Sequence, residues 1–238
     1  MRRVPLALLI SALFATAAVA GGVEHEHSTA AHDHGDVSKV NRSINVGNGE
    51  RAGDVETVNG SITVGDDALI KSAETVNGSV RIGANGQAED LSTVNGSISV
   101  GAKTVVADGI ETVNGGIVLG DDAASLGKIE TVNGRIELGP RAQANAGIEL
   151  VNGGVELKQA ARVTGDIIVR KPGGMGWFNS NNKPPRVILG ANSVVNGNLV
   201  FEHEVELYVH TSAKITGKQS GPLVGGKVMT FSGDAPAI

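Results

Sequence analysis

The stretch ETVNGSITVG, Glu56 to Gly65, is restated as ETVNGSVRIG from Glu74, STVNGSISVG from Ser92, ETVNGGIVLG from Glu111, ETVNGRIELG from Glu130 and ELVNGGVELK from Glu149. The Asn of this step falls at 41, 59, 77, 95, 114, 133 and 152, at intervals of 18, 18, 18, 19, 19 and 19. A finer beat runs inside each repeat. Val40, Val46, Ala52, Val58, Val64, Ile70, Val76, Ile82, Ala88, Val94, Val100 and Val106 are each six apart. One added residue carries the frame to Val113 and Leu119, another to Val132 and Leu138, and another to Val151, Leu157, Val163 and Val169. The natural object is a coil with three sides of about six residues.

Read once, Asn-Gly between β-branched residues signals a hairpin, because both residues accept positive φ. A meander of hairpins has no need of near-identical residues at every eighteenth position, since antiparallel neighbours oppose different parts of the repeat. A solenoid does, because each coil stacks on the equivalent positions of the last. At ~3.3 Å per residue the coil has a perimeter of roughly 60 Å, enclosing a core fit for Val and Ile and too narrow for many aromatics. Composition agrees: aromatics make up 3% of the chain, and Gly is abundant at 34 of 238 residues. The expected fold is therefore all-β, a single-stranded parallel β-helix of three-sided coils. A right-handed coil is expected, with a left-handed hexapeptide-type coil as the alternative.

The ends read differently. Arg2 and Arg3 precede an apolar run, Val4 to Val19, that closes on Ala18-Val19-Ala20. A basic start, a short apolar middle and small residues at its end are the pattern of a secretory signal peptide cleaved after Ala20. The run is short for a bilayer span of ~20 residues. A periplasmic or secreted protein with no membrane span in its mature form is expected. Residues 21–38 read as a disordered, His-rich tail, 39–217 as the β-helix and 218–238 as a cap over its last coil. Within the β-helix, the Gly-, Asn- and Pro-rich segment 170–186 breaks the beat and reads as a protruding loop. The absence of Cys excludes disulfides, thiolate metal sites and Cys nucleophiles. A net charge of -5 gives no reason to expect a nucleic-acid partner.

The run VILGANSVVNGNLVFEHEVELYVHTSAKITG (Val187 to Gly217), with VTGDIIV before it, resembles the bactofilin-type polymer-forming β-helix. The recurrent V-x-G-[SDN]-[IL] steps are also similar to exported β-strand-repeat, adhesin-like proteins. The resemblance covers residues 39–217 and implies a right-handed β-helix that self-associates end to end. Bactofilins are cytoplasmic, whereas this chain carries an export pattern, and the loop bearing Trp177 is extra.

Several residue sets are candidates for chemistry. Asn41, Asn59, Asn77, Asn95, Asn114, Asn133 and Asn152 fall in one column of the coil, where stacked amides can hydrogen-bond into a continuous internal ladder. Gly after each of these from Asn59 on is expected to supply a positive-φ corner. Asn41-Arg-Ser and the Asn-Gly-Ser triplets at 59, 77 and 95 also match the glycosylation pattern, which requires those amides to face solvent. Glu56, Glu74, Glu111, Glu130 and Glu149 stack into a second column, either a solvated edge relieved by nearby cations or a cation-binding stripe.

His25, His27, His32 and His34, flanked by Glu and Asp, carry ligand types suited to zinc, copper or nickel. A plain solvated linker is the expectation there, with weak metal binding as the alternative, and no cofactor is expected. His203 shares parity with Phe201 and Val205 and reads as a lone histidine on an apolar face. Trp177 and Phe178 lie in the loop and are candidate partner contacts. The expected function is that of an exported, non-enzymatic, structural or adhesin-like β-helix, self-associating through its ends or contacting the cell envelope or a glycan. The alternative is an envelope polysaccharide-binding or -processing β-helix, which needs convergent carboxylates and sugar-stacking aromatics.

Overall fold

The computed structural model describes residues 33–172 and 183–236. They form a parallel β-solenoid of about 10 turns. Every coil stacks in register on the last: Ile44 on Ile62, Ile62 on Val80, Val80 on Ile98, Ile98 on Ile117, Ile117 on Ile136 and Ile136 on Val155.

The coil of residues 51–68 shows the plan. Ala52, Val55, Thr57, Ile62, Val64 and Ala68 are buried, and the residues between them are wholly or partly exposed. Alternation puts them inward on three sides: Ile62–Val64, then 68–70 continuing from the previous corner, then 73–76 (equivalent to 55–58). Small branched side chains fill this core, as the perimeter requires. A fully buried Ile such as Ile98 contributes roughly 1.5–3 kcal/mol.

The six-residue beat is broken at one side. Val58, Val76, Val94, Val113, Val132 and Val151 are half-buried on the outside, and Val40 is exposed; the inward residue is the preceding Thr in the first five of these and Leu150 before Val151. Thr75 Oγ1 donates to the carbonyl of Gly60, and Thr93 Oγ1 to that of Gly78, each at 2.9 Å. Thr57, Thr112 and Thr131 make the equivalent bond. A valine turned inward would leave that corner carbonyl without this donor, so the hydroxyl favours Thr as the inward residue; Leu150, buried at the equivalent position without one, shows that the same parity holds where the bond is missing.

The Asn-Gly corner also differs from expectation. Of its glycines only Gly153 has positive φ. The left-handed residues form a different column, Gly49, Asp67, Asn85, Lys103, Asp122, Arg141, Ala160 and Asn192, at the corner after the Ile/Val side. The corner glycines are there for closeness instead. A Cβ on Gly78 would meet the Gly60 carbonyl oxygen at 1.9 Å, and one on Gly96 that of Gly78 at the same distance.

The change from 18 to 19 residues is confined to one bend. Register against the preceding coil shifts only between Val106 and Gly109, so the extra residue lies at 107–108 and the other two sides stack undisturbed. The solenoid also starts earlier than expected. Asp33–His34 and Val37–Lys39, inside the segment expected to be a disordered tail, pair in parallel with Arg51–Asn59, because that strand's outer backbone groups need partners. At the other end, Gln219–Ser220 stacks on Leu199–Phe201, and Met229–Phe231 on Glu206–His210.

Candidate functional surface

The side that begins after the bend, residues 54–59 and their equivalents, presents four parallel rows outward. The first is the Asn row. Nδ2 of Asn59 donates to Oδ1 of Asn41 at 2.9 Å, and the same bond links Asn77, Asn95, Asn114, Asn133 and Asn152 to their predecessors at 2.8–2.9 Å. The ladder lies on the outside of the coil. Asn41 to Asn133 are exposed and Asn152 is half-buried. Solvent exposure and laddering therefore coexist, and each amide keeps an N–H and an acceptor lone pair for another partner. The serine hydroxyls of the Asn-x-Ser triplets are engaged as well: Ser43, Ser61 and Ser79 accept from the backbone N–H of Ser61, Ser79 and Ser97 in the next coil.

The ladder stops at Asn152 for a visible reason. Ile167–Val169 stacks on 148–150 and Arg186 on Gly154, so segment 170–185 replaces the Asn-Gly corner of that coil. Trp177 and Phe178 lie in this segment but outside the described residues, as do His25, His27 and His32. Of the four tail histidines only His34 falls within them, in the strand against Arg51–Asn59. Among the described residues no group of three or more His, Asp or Glu is arranged to hold a metal ion. His203 is half-buried, and its Nε2 is buried without a hydrogen-bond partner. His210 sits against Ser212 Oγ, 2.8 Å from Nδ1, and edge-on to Phe231.

The second row is the half-buried valines. The third is acidic: Glu56, Glu74, Ser92, Glu111, Glu130 and Glu149 stand in register. The fourth, two residues earlier, reads Asp54, Ser72, Asp90, Gly109 and Lys128. Stacked carboxylates at ~4.8 Å repel one another unless neutralised.

The two ends of the acidic row solve this differently. Near Glu149, Lys128 Nζ lies 3.0 Å from Glu130 and 3.3 Å from Glu149, while Arg170 spans Glu149 at 2.6 Å and Glu202 at 2.8 Å. Burial alone would raise the Glu149 carboxyl, but Arg170 and Lys128 hold it below its ordinary value. The other end has one cation, Lys71, which pairs with Asp54 at 2.9 Å. There burial, with Glu56 and Asp90 nearby, pushes Glu74 up to about 7. Burial with Glu130 and Asp90 does the same to Glu111, also to about 7. Asp90 is raised to about 6 by burial and by Asp108. Lone sequence columns could not show this contrast, because it depends on which coil the lysine and arginine stack against.

No family model matches the chain, and neither a curated protein nor a solved structure matches it. No helix among the described residues is long and apolar enough to cross a membrane.

Proposed function

We propose that this is an exported, non-enzymatic, structural or adhesin-like protein that presents a rigid, regularly repeating surface and self-associates through its coil ends. The observation that carries the reading is the exposed amide ladder from Asn41 to Asn152, continuous through every rung. Six bonded rungs on the outside, five of them beside a Gly-on-Gly stack, favour a surface whose regularity is the product, since nothing in the core requires them. The basic-then-apolar start of the sequence supports export to the periplasm or beyond. The bactofilin-like run, 187–217, supports end-to-end association. The loop bearing Trp177 and Phe178 is a second contact point in this reading, and the His-rich segment a weak transition-metal ligand.

A polysaccharide-processing role is the second reading. It is favoured by the raised carboxyls of Glu74, Asp90 and Glu111, since a general acid needs such a shift. The near-absence of aromatics weighs against it. Light scattering and electron microscopy on residues 21–238 decide between them. Filaments or defined oligomers are expected; a strict monomer that depolymerises a glycan overturns the structural reading.

A further inference from the structure

The nine Asn-Gly steps of the chain are not equivalent in the fold. At such a step the side-chain amide is open to attack by the following backbone nitrogen, because Gly carries no Cβ to hinder the approach. In most of them the fold holds one or both reacting groups. Gly60, Gly78, Gly96 and Gly115 donate their N–H to the next coil at 3.1 Å, Gly49 donates to the Asp66 carbonyl at 2.8 Å, and Gly86 to Thr104 Oγ1 at 3.1 Å. Gly134 stacks in strand register with Gly153. The ladder fixes the amides from Asn59 to Asn152, and Asn48 Oδ1 accepts from the Asp66 N–H. The step in VVNGN, Val194 to Asn198, reads like one more copy of the ladder corner but lies elsewhere. It follows the strand Val194–Val195, at the bend between two sides of the coil and outside the Asn column. Asn196 is exposed, with its backbone N–H on the Val163 carbonyl and its own carbonyl accepting from Thr216 Oγ1 at 2.9 Å. Among the described residues neither its side-chain amide nor the Gly197 N–H has a hydrogen-bond partner, a combination found at no other Asn-Gly step.

We propose that Asn196 is a self-modification site, where the folded chain converts this asparagine to aspartate and isoaspartate while the other Asn-Gly steps persist. The Gly197 nitrogen attacks Cγ of Asn196 as its proton passes to a solvent base, and an N–Cγ bond forms. The Cγ–Nδ2 bond breaks, and ammonia leaves after taking a proton from water. Water then opens the cyclic imide at either carbonyl, so the net change is asparagine plus water to aspartate or isoaspartate plus ammonia. At the other steps a hydrogen bond must open before the two groups can meet, and each such opening slows the reaction. Packing keeps the glycine in place here, since a Cβ on Gly197 would meet the Gly165 carbonyl oxygen at 2.2 Å, and one on Gly217 that of Gly197 at 2.1 Å. No contact of that kind holds the Asn196 side chain. The bend also tolerates the product. Isoaspartate lengthens the main chain by one carbon, and this same bend absorbs an extra residue at 107–108 while the sides on either hand stay in register.

The test is incubation of the folded full chain in mildly alkaline buffer, followed by peptide mass mapping and labelling with an isoaspartate-specific methyltransferase. Asn196 is expected to convert at least about tenfold faster than Asn59, Asn77, Asn95 and Asn114, the effect of two bonds that must open first. In urea, where the fold is lost, all these steps are expected to convert at similar rates. Asn196→Gln, whose longer side chain cyclises slowly, is expected to remove the early label, with circular dichroism checking its fold. The inference is overturned if Asn196 converts no faster than the ladder asparagines in the folded chain. It is overturned too if Asn196 is as far ahead in urea, which assigns the difference to local sequence, or if the early label persists in Asn196→Gln.

Discussion

The α-carbon of Gly96 lies so close over Gly78 that a methyl group on it would sit 1.9 Å from the Gly78 carbonyl oxygen. Gly49 is the opposite case: φ is +68°, and a Cβ there would meet nothing within 4 Å. Gly96→Ala is therefore expected to cost more than about 3 kcal/mol, because backbone rather than a side-chain tip must move. Gly49→Ala should cost about 1–2 kcal/mol, the left-handed strain alone. The left-handed Asp67 and Asn85 in the same column already show that non-glycine residues are tolerated there. Urea denaturation of the two variants checks the order.

The Asn ladder predicts a graded effect along its length. Asn95 both donates to Asn77 and accepts from Asn114, whereas among the described residues Asn41 only accepts from Asn59 in the ladder. At a net ~0.5–1.5 kcal/mol per bond, Asn95→Ala should destabilise about twice as much as Asn41→Ala. Equal losses in the urea midpoint would mean that the rungs contribute through solvation rather than through bonding along the column.

Stability should depend on pH in a direction set by the acidic cluster. In the folded chain Glu74 and Glu111 titrate at about 7 and Asp90 at about 6, against ordinary values of 4.5 and 3.8. Folded values above the unfolded ones mean that the folded state binds more protons across this window. The contribution of these groups is complete below their ordinary values, falls as pH rises, and is gone above about 7. Glu149, Glu202 and Asp54 are shifted downward, so theirs is lost only under more acid conditions. In the absence of divalent cations, lowering pH from 8 to 5.5 should raise Tm by roughly 3 °C. Glu74→Gln/Glu111→Gln should raise Tm at pH 8 and flatten the profile; a Tm that falls steadily from pH 8 to 5.5 contradicts the assignment.

The period at Asn41 to Asn152 carried the coil, its three sides and the amide column, because a stacked fold writes its repeat directly into the chain. Within the repeat, parity was ambiguous at Thr-Val-Asn-Gly. Two adjacent β-branched residues fit the core equally well; the reach of a hydroxyl to the previous coil's carbonyl favours the inward Thr, and Leu150 keeps the same parity without one. The amides' outward position follows from that one reversal. The cluster of raised carboxyls was less legible still. Asp90 stacks beside Gly109 and not Asp108, which depends on where the added residue sits in VVADGIE.

That added residue has a consequence for how the chain came by its length. Since the shift is absorbed between Val106 and Gly109, a unit of either size can be duplicated or lost without re-registering its neighbours. The described coils accordingly widen in steps, from 18 residues before that bend to 19 after it and 20 where Glu206 stacks on Arg186, and further copies of one gauge extend the stack without redesign of a core or a corner.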